Sequence, residues 1–167
     1  MNEEEINQTK YLVKSVINRG NITEIESYLT PEAIKKYGIK YEIKDLIIAT
    51  GNIDKYLTRE KIDELNLKVG AIVYIITKSG KTIDSYLTKE KIEELGIDNI
   101  DITMLINKTG KIEEYLTEEK IKELGLNGSS IIFLIFQTGK LEKYITAEAI
   151  KKYQLDIQEI KEIFRSE

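Results

Sequence analysis

Five copies of one short pattern run through this chain, and a chain built that way has few folds open to it. Tyr-Leu-Thr ends at Thr30, Thr58, Thr88 and Thr117, and Tyr-Ile-Thr ends at Thr146, so the steps are 28, 30, 29 and 29 residues. The segments that begin at these threonines are alike: TPEAIKKYGI, TREKIDELNL, TKEKIEELGI, TEEKIKELGL and TAEAIKKYQL. The first four copies then pass through an apolar stretch to a glycine, at Gly51, Gly80, Gly110 and Gly139, and Gly20 closes a lead-in segment. A unit this short cannot bury its own apolar face, so copies must stack and share a core that runs along the stack.

Each copy reads as short helices. A hydroxyl residue before a charged turn is an N-cap signal, and Pro31 directly after Thr30 stands at the first helical position, where proline is favoured. The far ends carry Gly38, Asn66, Gly96 and Gly125, residue types that accept the left-handed C-cap conformation. Gln154 departs from that series, which predicts a different ending for the last short helix. A second helix comes next in each copy. Counting back four, five and eight places from the glycine gives Ile47, Leu46, Ile43; Ile76, Ile75, Ile72; Ile106, Leu105, Ile102; and Ile135, Leu134, Ile131. That is the spacing of one helical face. The lead-in shows the same face at Leu12 and Val16, and the final segment at Ile157, Ile160, Ile163 and Phe164. Between glycine and threonine, Ile112, Tyr115 and Leu116 fit one more helical turn.

Two segments, 71–76 and 131–136, carry strand propensity as well. A strand in each copy would give a parallel α/β repeat horseshoe. The matching segments EIKDLII and DITMLIN carry charge where a strand buried on both faces should not. Equivalent positions must share one structure, so the sequence predicts an all-α fold. It is an α-solenoid of about five helical repeats of 28–30 residues, capped by a helix at each end. The expected organisation is a single domain over 1–167: a lead-in helix at 1–27, repeats at 28–55, 56–85, 86–114 and 115–143, and a truncated final repeat at 144–167.

Composition narrows the chemistry. Histidine and cysteine are both absent, which removes the commonest general base, the commonest metal ligand and every thiol reaction. Neither a cofactor nor a metal site is expected. The net charge is −4 with lysines and acids interleaved, so no basic stripe marks a nucleic-acid footprint. No wholly apolar stretch exceeds six residues, far short of a membrane span. The opening residues MNEEEINQ are acidic and polar, unlike a secretory signal. A cytoplasmic protein is expected.

Three motifs invite a functional reading. IVYIITKSGKT (72–82) looks like a phosphate-binding loop, but the glycine such a loop needs five places before Gly80 is Ile75. TGK also recurs at 109–111 and 138–140, so the glycine has a repeated structural role as a helix C-cap. The tyrosines Tyr28, Tyr56, Tyr86, Tyr115 and Tyr144 could stack bases, one per copy. Their constant surroundings favour packing between repeats, with each hydroxyl reaching solvent or a backbone carbonyl. Paired acids such as Glu93–Glu94 and Glu113–Glu114 recur on solvated turns, with none set apart as an acid/base pair. The Leu-Thr-Pro-Glu opening at 29–32 resembles the DNA-reading repeats of TAL effectors in those residues alone. The units here are shorter and the overall charge is wrong for that role, so the function is not carried over.

Variation upon the frame is what remains. Seven and six places before each glycine stand Lys44 and Asp45, Val73 and Tyr74, Thr103 and Met104, and Ile132 and Phe133. The first pair is charged and the later ones are largely apolar, with Phe136 adding to the last. A helix apolar all round is either wholly buried or touches a partner. If exposed, Val73, Tyr74, Met104, Ile132, Phe133 and Phe136 form a candidate partner-binding stripe of the residue types enriched at interface cores. The expectation is a non-catalytic protein-binding module, able to inhibit a partner by occlusion as an anti-defence protein of a phage or mobile element would, or to self-associate. A nucleic-acid-binding helical repeat is the alternative. Neither membrane nor small-molecule substrate is expected.

Overall fold

The computed structural model describes residues 3–165. The side chains of Ile163 and Phe164 lie outside the described residues, so the face assigned to them is not described. Every regular element is helical and no strand occurs among the described residues. In chain order the helices are α1 (Glu3–Arg19), α2 (Ile22–Ser27), α3 (Pro31–Tyr37), α4 (Ile43–Ala49), α5 (Arg59–Glu64), α6 (Val69–Lys78), α7 (Lys89–Leu95), α8 (Asn99–Thr109), α9 (Ile112–Tyr115), α10 (Glu118–Leu124), α11 (Gly128–Thr138), α12 (Leu141–Tyr144), α13 (Ala147–Tyr153) and α14 (Ile157–Arg165). Single 3₁₀ turns at Ile53–Lys55 and Ile83–Tyr86 stand where α9 and α12 stand in later copies. The segments 71–76 and 131–136 fall inside α6 and α11. Their strand propensity is overridden by a helical face that the packing uses. The chain falls into two compact units, Met1–Lys81 and Thr82–Glu167.

The helix starts are set by the threonines. Thr30, Thr58, Thr88, Thr117 and Thr146 each have extended backbone, and each side-chain oxygen accepts the amide three residues on. Each bond satisfies one amide that the first helical turn leaves without a partner. The ends of these short helices are equally uniform. Gly38, Gly96 and Gly125 are left-handed, and Asn66 adopts the same conformation at φ 51°.

Gln154 corrects the expectation of a different ending, for it too is left-handed, at φ 52° and ψ 42°. The cause is the residue after it. The Leu155 amide donates to the Ile150 carbonyl at 3.0 Å, as Leu126 does to Ile121 and Leu67 to Ile62, and all three leucines are buried. That bond and its buried leucine impose the turn, so Gln154 bears a conformation that costs a non-glycine residue about 1 kcal/mol or more.

The Thr/Ser-Gly motif has a second device. Thr50, Ser79, Thr109 and Thr138 each donate a hydroxyl to the carbonyl three residues back, that of Ile47, Ile76, Ile106 or Ile135. The same oxygen accepts the amide two residues on, past the glycine. One hydroxyl thus closes the helix and fixes the exit of the chain. This is the role of the SGKT segment. Gly80 turns the chain at φ 74°, and the loop's groups are engaged in ending α6.

The core is the row found four, five and eight places before each glycine. All twelve of those residues are buried, and Leu46, Ile47, Ile75, Ile76, Leu105, Ile106 and Leu134 are 0 % exposed. Burying one such side chain contributes roughly 1.5–3 kcal/mol, which holds helices of two turns that would not persist alone. In the first unit α4 packs on α6, and α1 packs on both α2 and α4. In the second, α8 packs on α11 and α9 touches both. The contact at the start of α11 is close: a Cβ on Gly128 would stand 3.1 Å from the Gln154 carbonyl oxygen, so that position needs glycine for space rather than for torsion.

Candidate protein-binding surface

Polar side chains tie each copy to the one before it, at a nearly constant offset. Lys81 reaches Asp54 at 3.0 Å, Lys111 reaches Asp84 at 3.4 Å, and Lys140 reaches Glu113. The tyrosines add to this ladder. The Tyr56 hydroxyl donates to Glu26 at 3.0 Å and the Tyr115 hydroxyl to Asp84 at 2.6 Å. Tyr56, Tyr86 and Tyr115 are buried, whereas Tyr28 and Tyr144 are half-buried. The rings are therefore scaffold in the three central copies. The hydroxyl partners of Tyr56 and Tyr115 are carboxylates, in place of the backbone carbonyl or solvent that the sequence suggests. Burial and the facing acid both push the Tyr56 and Tyr115 phenols far above their ordinary value. The Tyr115 hydroxyl, with Lys111, holds Asp84 below the usual carboxylate range. Glu113 is held low by Lys140 and Lys143, so the acid of the Glu113–Glu114 pair that faces the next copy is committed to ion pairs.

The candidate stripe divides by register. Seven places before the glycine, Val73 is 7 % exposed and Ile132 is 0 %. Thr103 is buried too, with its hydroxyl donating to the Asn99 carbonyl at 2.6 Å. Val73, Thr103 and Ile132 are thus packed away from solvent, whereas Lys44 in the same row is half-buried. One place on, the side chains turn outward: Met104 is 49 % exposed and Phe133 44 %. Met104 and Phe133 occupy the same register on α8 and α11, which pack against each other, so both lie on one face of the second unit. Phe136, one turn along α11, is half-buried.

Tyr74 holds the equivalent place in the first unit and is half-buried. The Lys44 ammonium stands 5.1 Å from its ring centroid, within reach of a cation–π attraction. The charge of Asp45, with burial and a hydrogen bond from the phenol, raises the Tyr74 phenol above its ordinary value. Tyr74 is thus set among charges, whereas Met104 and Phe133 stand in an apolar patch.

One member of that patch is absent from the stripe inferred from the repeats. Ile100, one turn before Met104 on α8, is 71 % exposed. Its spacing of four from Met104 places it on the same helical face, but it stands too far before the glycine to belong to the aligned row. Together Ile100, Met104 and Phe133 leave large apolar side chains in water on the second unit.

No group of three or more acidic residues able to hold a metal ion occurs among the described residues, and none of the described helices is long and apolar enough to cross a membrane. Comparison with protein-family models, with curated proteins and with solved structures finds no match for this chain.

Proposed function

We propose that this chain is a non-catalytic, protein-binding helical-repeat module of α-solenoid type, and that it acts by covering a site on a partner protein. The observation that carries the reading is the outer row: the position six before the glycine changes from Asp45 to Tyr74, Met104 and Phe133 while the positions four, five and eight before it stay Ile or Leu. A position that stays at least partly open to solvent and yet is aromatic or apolar in three successive copies is suited to contact. Aromatics and methionine are the types enriched at interface cores. The solenoid reading is supported by the bonds between successive copies within each unit, which recur at offsets of 27 to 31 residues along the chain. Occlusion fits a chain without histidine or cysteine, in which Asp54, Asp84 and Glu113 are engaged in ion pairs that join its copies. The inhibitor of a phage or mobile element is one setting in which such a protein works.

The test is capture of partners from the native host with wild type and with Phe133→Glu. Phe133 is 44 % exposed, so the variant folds at a cost within about 1 kcal/mol. Loss of the captured partner, or of self-association, by a folded variant supports the reading. Unchanged partners and unchanged oligomeric state remove it.

A further inference from the structure

The first unit holds a cavity of about 400 Å³, within the size range of ligand pockets. Lys40, Lys44 and Lys68 converge on it. Tyr41 and Tyr74 line it, and Ile43, Leu67 and Ala71 supply an apolar floor. No carboxylate belongs to the lining. In a chain whose net charge is −4, Lys55, Lys81, Lys111 and Lys140 are by contrast all paired with acids.

The lysines here are held by neutral groups. Lys44 donates to the Tyr41 carbonyl at 2.8 Å and Lys68 to the Asn66 side-chain oxygen at 2.9 Å. The Lys40 ammonium lies 5.9 Å from the Tyr41 ring. Each ammonium has three donors, so these contacts position the charge and leave donors to spare. Asp45, the acid beside Tyr74, acts on the phenol.

We infer that this cavity takes an acidic segment of the partner protein, one in which carboxylates flank an apolar side chain. The carboxylates meet Lys40, Lys44 and Lys68, the apolar side chain rests on Ile43, Leu67 and Ala71, and Tyr41, 67 % exposed, closes over it. The inference rests on the protein-binding reading and names the chemistry of that partner. A nucleic acid fits less well. A polyphosphate backbone needs cations that continue along its track, whereas the cations here are gathered in one place and Lys55 and Lys81 of the same unit are bound to acids. A few carboxylates on a short segment match a local cluster.

The test is an amide-resolved NMR titration of the full chain with the peptide acetyl-Glu-Glu-Leu-Glu-Glu-amide, its all-glutamine counterpart and a ten-residue deoxythymidine oligonucleotide. The expected result is a set of shifts confined to Lys40, Tyr41, Lys44, Lys68, Gly70 and Tyr74 with the acidic peptide alone. The Lys44→Gln/Lys68→Gln variant should weaken that binding about fivefold, since two exposed pairs of about 0.5 kcal/mol each are lost. Unchanged shifts elsewhere in the spectrum report that the variant is folded. Equal response to the glutamine peptide, no response, or stronger binding of the oligonucleotide at the same residues overturns the inference. Loss of partner capture by Phe133→Glu with no peptide response at the cavity leaves the protein-binding reading standing and removes the cavity alone. Partner capture that Phe133→Glu leaves intact, beside a positive titration, removes the outer row as the contact and leaves the cavity as the place where the partner binds.

Discussion

The two units share a frame and differ in what they present to solvent. Both close their second helices with the same hydroxyl-and-glycine device, and both start their short helices on a threonine cap. Both bury the same three positions of each apolar helix. Their outer rows diverge. In the first unit Tyr74 stands beside Lys44, Asp45 and a lysine-lined cavity. In the second, Ile100, Met104 and Phe133 make an apolar face. The difference teaches that folding constrains only a few positions per copy. The remaining ones are free to vary, and each unit presents its own chemistry to solvent.

If the frame is common, its disruption costs the same in both units. Leu46→Ala and Leu105→Ala each remove a side chain that is 0 % exposed, and each should destabilise by about 2–5 kcal/mol. Met104→Gln, on the outer row, should change stability by no more than about 0.5 kcal/mol. Urea unfolding measures all three. A large cost at Met104, or a small one at either leucine, breaks the division between frame and surface.

A smaller effect tests the frame where it departs from its own rule. Gln154→Gly relieves a left-handed non-glycine residue and should raise stability by about 1 kcal/mol, read from the same unfolding curve. No gain would mean that the Gln154 side chain makes a stabilising contact of its own.

The subtlest contrast lies in the two tyrosine–acid pairs. Glu26 is held low first by Lys55 and then by Tyr56, whereas Asp84 is held low first by Tyr115 and then by Lys111. Both carboxylates titrate below their unfolded values of about 4. Their contribution is therefore complete above that pH and lost as pH falls through the lower, folded value. Tyr115→Phe should flatten the loss of stability below about pH 4 more than Tyr56→Phe does. Acid unfolding followed by circular dichroism compares them, and equal slopes would place the lysine first at both acids.

Much of the frame is legible in the sequence because it is repeated. Thr117 and Gly125 announce a cap and a stop in one copy, and three other copies repeat the message. Ile72, Ile75 and Ile76 share a face by spacing alone. Gln154 misleads because its residue type argues against a left-handed turn, while the buried Leu155 beyond it imposes one. The tyrosine hydroxyls show no partner in the sequence because Glu26 and Asp84 lie 30 and 31 residues upstream, a distance that only stacking brings together. Val73 and Ile132 group with Tyr74 and Phe133 by residue type, although neighbouring residues on a helix point about 100° apart and only the second of each pair turns outward. The lysine cavity is not legible, because Lys40, Lys44 and Lys68 come from separate helices and loops and no pattern joins them.

The central claim is that the outer row touches a protein. It is tested most directly by placing a photoreactive phenylalanine analogue at position 104 or 133, and at exposed Glu119 as a control, and irradiating cells of the native host. Protein adducts are predicted from positions 104 and 133 and none from 119, an adduct of twice the chain's mass identifying a second copy as the partner. Adducts from position 119 alone, or none from any position, would contradict the claim.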